Sequence, residues 1–113
     1  MSRIYKILPR AEWETALACG RFEGSAVDVE DGYIHFSTAA QARETARRHF
    51  HGQAGLVVAE VEADDLGEAL RWEPSRGGDL FPHLYGALDV VKVRSVTDAP
   101  LGADGVPVVG DLA

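Results

Sequence analysis

Leu56-Val57-Val58-Ala59-Glu60-Val61-Glu62 is the strongest strand signal in the chain, and it constrains everything around it. An apolar, β-branched run of this kind needs partner strands at its edges and apolar cover on its faces. Further segments supply the partners. Ile4 to Leu8 is short and apolar-rich, with Lys6 set between Tyr5 and Ile7, and Val90 to Val96 alternates strongly. Gly32-Tyr33-Ile34-His35-Phe36-Ser37 reads as a strand with Tyr33 and His35 on one face and Ile34 and Phe36 on the other. Arg71 to Glu73 makes a shorter one.

Helical patterns separate these strands. Pro9 suits the first turn of a helix, where its missing N–H costs nothing; Trp13, Ala16 and Leu17 follow at helical spacing, and Gly20 is a stop. Thr38-Ala39-Ala40-Gln41 is a capping box opening a second helix, which turns Ala39, Ala42, Ala46 and Phe50 inward and ends at Gly52. Arg21 to Asp31 reads as a loop, Asp64 to Leu70 as a short helical turn, and Pro74 to Asp79 as a flexible loop. Pro100, Gly102, Gly105, Pro107 and Gly110 make residues 98–113 an irregular tail. The expectation is one α+β domain over 1–113, with a core at about 3–97, a twisted or split antiparallel sheet and two main helices.

A length of 113 residues suits a single domain with one core and one pocket. Eighteen acidic against eleven basic residues give a net charge of −7, the wrong sign for a general binder of nucleic acid. The single cysteine, Cys19, excludes an internal disulfide and a multi-cysteine zinc site, and reads as a small core-filling side chain. No run of about 20 apolar residues offers a membrane span, and the first residues lack the apolar stretch of a signal peptide. These features describe a soluble, cytoplasmic, monomeric protein with no metal site.

Four histidines carry the chemical interest. His49 and His51 lie two apart, so they cannot chelate a metal from within a regular helix; with Arg43, Arg47 and Arg48 they read as a solvated basic face. His35 sits mid-strand, within three residues of a helix N-terminus. It is either a ligand contact for a nucleotide or phosphate, or a buried, hydrogen-bonded core histidine. His83, in Phe81-Pro82-His83-Leu84-Tyr85-Gly86, has aromatic neighbours that suit either a planar ligand or a plain core. Glu73 beside Trp72 is either a desolvated carboxylate or an exposed strand residue.

The segments Gly32 to Thr38 with Gln41, and Phe81 to Gly86, together resemble the bacterial family called domain of unknown function 952. The likeness runs from Ile4-Tyr5-Lys6 and the Trp13 helix to Val93. That family is similar in fold to the ADP-ribosyltransferase superfamily, which implies NAD as a possible substrate. Carried over, the second-strand site residue falls on His35 and the first-strand one on Lys6, where many relatives carry His. The third falls on Glu73 or His83. The resemblance thus implies catalytic roles for His35, His83 and Glu73. It implies cofactor contacts from Lys6, Tyr33, Ser37 and Tyr85: Lys6 to a ribose hydroxyl or phosphate, Tyr33 or Tyr85 stacked on nicotinamide. Glu73 would then steady an oxocarbenium-like state.

Two other readings use the same residues: a non-catalytic module for a small nucleotide-like ligand, and a protein-interaction domain whose histidines are structural. The ligand readings require Lys6, His35 and His83 to converge on one cleft. The charge balance makes a separate forecast: no micromolar, salt-dependent association with random duplex DNA or RNA in a mobility-shift or anisotropy titration.

Overall fold

β1 (Arg3–Pro9) threads the middle of the molecule, with Ile4 to Leu8 all buried. In the computed structural model residues 2–112 are described, without the side chain of Arg76. The chain continues through α1 (Arg10–Cys19), β2 (Arg21–Phe22), α2 (Ala26–Asp31), β3 (Ile34–His35), β4 (Ser37–Thr38) and α3 (Ala39–His49). Then come β5 (Leu56–Glu62), a 3-10 segment at Ala63–Ala69, β6 (Leu70–Pro74), β7 (Leu80–Leu84), β8 (Leu88–Asp89) and β9 (Val93–Ala99).

Among the described residues the strands form three antiparallel sheets, ordered β4-β1-β5-β9, β2-β8 and β3-β7-β6. The fold is α+β with a split antiparallel arrangement. β1 and β5 pair along their whole length, from Arg3 opposite Glu62 to Pro9 opposite Leu56. Period-two alternation then sends their side chains to two cores. Ile4, Leu8, Val57, Ala59 and Val61 face one side, against Trp13 and Ala16 of α1 and Ile34, Leu84 and Leu88. Tyr5, Ile7, Leu56 and Val58 face the other, against Ala42 and Ala46 of α3.

Several elements differ from the sequence expectation, each for a local reason. Pro9 stays extended (ψ 140°) and closes β1, so the helix begins at Arg10. Leu17 of α1 is exposed, because the buried stripe is Trp13 and Ala16 alone. The supposed loop Arg21 to Asp31 holds β2 and α2. α2 starts on a capping box formed by Ser25 and Asp28, and its exit needs Gly32 at φ 89°, whose N–H donates to the Asp28 carbonyl at 2.8 Å.

The single strand expected at Gly32 to Ser37 is broken at Phe36. Its N–H donates to the Pro82 carbonyl at 3.0 Å, and the chain passes from the β3 sheet to the β4 edge of the other. Leu80 to Leu84 is a strand despite Pro82. Val90 to Lys92 is a 3-10 turn capped by Asp89, so β9 starts only at Val93 and runs on to Ala99. α3 ends at His49, capped by Phe50 rather than Gly52. The tail is irregular, yet Val109 is buried beside Ala42 and Ala46, and Leu101 bridges Pro107.

The α3 capping box is present as read. The Thr38 hydroxyl accepts from Gln41 N–H at 3.2 Å, and Gln41 Oε1 accepts from Thr38 N–H at 3.1 Å. Thr38→Ala should therefore lower stability by about 0.5–2 kcal/mol in a urea titration. An unchanged midpoint would mean the side chain does not cap the helix.

Candidate functional site

The short pairing of β3 with β7 sets His35 directly opposite His83. Opposed residues in an antiparallel pair project to the same face. Every second residue then builds one polar, aromatic surface: Tyr33 and His35, then Phe81, His83 and Tyr85, then Arg71 and Glu73 from β6. Ile34 and Leu84, on the opposite parity, go to the core. The two imidazoles stand with centroids 5.5 Å apart, edge to face. Tyr33 stacks on His83 at 4.1 Å and 21°, and leans on His35 at 4.7 Å and on Tyr85 at 5.2 Å.

Each imidazole has a carboxylate at Nδ1. Glu73 Oε1 lies 2.8 Å from His83 Nδ1 and also accepts from the Tyr85 hydroxyl at 2.7 Å. The His83 hydrogen bond first, and the Tyr85 one second, hold the Glu73 carboxyl below its usual range; the same contact raises the Tyr85 phenol. With an acceptor at Nδ1, neutral His83 carries its proton there and keeps Nε2 as a lone-pair acceptor. Asp28 Oδ1 lies 2.6 Å from His35 Nδ1, and Asp31 Oδ2 lies 3.0 Å from His35 Nε2. A protonated His35 would donate to both.

Asp28 is the hub beneath this surface. Its carboxylate meets the Lys6 ammonium at 2.8 Å and accepts from Ser25 N–H at 2.8 Å and His35 N–H at 3.2 Å. Burial raises the Asp28 carboxyl, but the His35 hydrogen bond and the Lys6 charge outweigh it and hold the group at about 2. Burial lowers Lys6, and Asp28 opposes that shift. Burial, then the charges of Asp31 and Glu73, raise the Tyr33 phenol.

A cavity of about 450 Å³ opens at this surface, within the roughly 300–1,000 Å³ range of small-molecule pockets. Lys6, Tyr33, His35, Ser37 and His83 all lie on its wall, so the structure brings these site candidates together. Ile7, Phe36, Phe50 and Phe81 supply apolar lining. Glu73 and Tyr85 stand outside the lining and connect to it through His83 and Tyr33. Lys6 faces the cavity with its ammonium already held by Asp28. Ser37 is buried, and its hydroxyl pairs with Thr45 Oγ1 at 2.9 Å.

Asp28 and Asp31 escaped the sequence reading. The signal was Ser25-Ala26-Val27-Asp28, a capping box with Asp in the last position, lying inside a stretch whose small and polar composition suggests a loop. Cys19 is exposed rather than core-filling, since the α1 face that meets the core is Trp13 and Ala16. It borders a separate hollow of about 350 Å³ with Glu12, Thr15 and Arg21. Among the described residues no group of three or more His, Cys, Asp or Glu side chains could hold a metal ion, and no helix is long and apolar enough to cross a membrane.

The sequence model of a family described as "Protein of unknown function (DUF952)" matches residues 7–96. The chain belongs to the DUF952 family. Among solved structures, it is similar to the crystal structure of protein CC0527 from Caulobacter crescentus, at 60% identity and a TM-score of 0.92. That match covers 94% of this chain and 93% of the other. The solution NMR structure of CC0527 matches at 61% identity and a TM-score of 0.85, covering 95% of this chain and 92% of the other. No curated protein matches the chain. This DUF952 chain therefore shares its fold with CC0527, and the family description assigns no activity to the cavity.

The Asp28 hub has a pH signature. Its folded-state value of about 2 lies below the ordinary 3.8, so its contribution is complete above about pH 4 and disappears as pH falls through about 2. The shift corresponds to about 2 kcal/mol. Denaturant unfolding of the native chain and Asp28→Asn, measured at pH 5 and at pH 2, should show the acid loss smaller in the variant by roughly that amount.

Proposed function

We propose that the cavity binds a nucleoside-type small molecule and performs acid–base chemistry on it, with His83 as base and His35 as acid. The carrying observation is the pair of imidazoles facing each other across β3 and β7, each with a carboxylate at Nδ1. A carboxylate at one ring nitrogen fixes the tautomer and orientation of the other. The His83 lone pair at Nε2 suits removal of a hydroxyl proton. His35, with a carboxylate at each ring nitrogen, suits donation of its own Nε2 proton to a leaving atom once Asp31 yields its place, while His83 keeps the proton it removed.

The resemblance to ADP-ribosyltransferases supports NAD as one such ligand, and a cleft between two antiparallel sheets supports that kinship. The roles within that reading change. Lys6 serves as the counter-charge of Asp28 rather than a phosphate contact, because its ammonium is 2.8 Å from that carboxylate. Glu73 orients His83 rather than steadying an oxocarbenium ion. Tyr33 and Phe81 line the cavity as aromatic wall for a planar base.

Titration of the isotopically labelled chain with NAD, ADP-ribose and adenosine tests the proposal. The amides of Tyr33, His35 and His83 should shift for at least one ligand. His83→Ala should weaken that ligand about tenfold while unfolding remains cooperative. Silent cavity amides with all three ligands would overturn the proposal. A ligand bound equally well by His83→Ala would assign the histidines a structural role.

A further inference from the structure

We propose that Tyr85 is a positioning residue for His83: its hydroxyl holds the Glu73 oxygen that fixes the His83 tautomer, and it does so from outside the cavity. This role rests on the reading of His83 as the base of the cavity. The geometry centres on a single atom. Glu73 Oε1 lies 2.8 Å from His83 Nδ1 and accepts from the Tyr85 hydroxyl at 2.7 Å. An ionised carboxylate only accepts, so both partners of that oxygen are donors and the His83 proton is required at Nδ1. Moving that proton to the other ring nitrogen would set two lone pairs against each other across 2.8 Å.

The two imidazoles are secured in different ways. Asp28, which serves His35, is buried and is fixed by the Lys6 ammonium and by the N–H groups of Ser25 and His35. Glu73, which serves His83, stands on the outer strand β6 with its side chain 33% exposed, so water competes for its oxygens. Tyr85 supplies the second anchor that this carboxylate needs. Tyr85 is itself tied down on three sides. Its N–H donates to the Ala69 carbonyl at 2.8 Å, one residue ahead of β6. The Arg71 guanidinium lies 5.0 Å from its ring centre, and the Tyr33 ring lies at 5.2 Å. Tyr85 is not on the cavity wall, so it reaches a ligand only through Glu73 and His83.

The ring nitrogens of His83 test the role directly. Two-bond proton–nitrogen spectra of the isotopically labelled full chain distinguish the nitrogen that carries the proton, and in the native chain that nitrogen should be Nδ1. Tyr85→Phe removes one oxygen and keeps the ring. It should shift the ratio of Nδ1–H to Nε2–H tautomer about fivefold toward Nε2–H while unfolding stays cooperative. Tyr33→Phe alters the ring stacked on His83 but no bond to Glu73, so it should leave the ratio unchanged. An unchanged ratio in Tyr85→Phe, or an equal change in Tyr33→Phe, would overturn the assignment. A Tyr85→Phe chain that no longer unfolds cooperatively would make the hydroxyl part of the fold and overturn it as well. If the ratio moves as expected while NAD, ADP-ribose and adenosine leave the cavity amides silent, the positioning role stands and the reading of His83 as base falls.

Discussion

The Lys6 ammonium and the Asp28 carboxylate meet at 2.8 Å with almost no solvent access, and the site is arranged around that contact. Burying two opposite charges strips both of water, and attraction alone repays the loss only when the remaining hydrogen-bonding capacity is used. Asp28 uses it fully, on Ser25 N–H, His35 N–H and His35 Nδ1. One carboxylate thereby joins β1, the cap of α2 and β3. α2 spans six residues, far below the length at which a helix is stable alone, so this anchoring is what holds it.

The cavity follows from where the chain changes sheets. β3 and β4 are separated by Phe36 alone, yet β3 pairs with β7 and β4 with β1. Two sheets that share this junction diverge on either side of it. Tyr5, Lys6 and Ile7 wall the opening from one sheet, and Phe81 and His83 from the other. A polar site between two sheets keeps its rings in place because each strand's opposite parity, Ile34 and Leu84 here, is anchored in the core.

Much of this was legible in local sequence. β5 appears at Leu56–Glu62 as read, because an unbroken β-branched run has few alternatives. The Thr38 box starts α3 because both of its hydrogen bonds lie within four residues. The alternation in Tyr33-Ile34-His35 placed its two rings on one face and Ile34 on the other, since side-chain period in a strand is purely local. Boundaries failed where a single cap or a crossing between sheets decided them. Val90 to Lys92 alternates like a strand, yet the Asp89 cap folds it into a turn.

By itself, then, the sequence determined which residues could be strand, helix or cap, and which polar side chains shared a face. Tertiary structure alone decided that His35 stands opposite His83, that Glu73 reaches His83, and that Lys6 meets Asp28. The physical reason is range. Propensity, capping and parity act over a few residues, whereas the charge pair spans 22 positions and the two histidines are 48 apart. Only the register of paired strands and the exclusion of water bring such groups together and fix which one neutralises which.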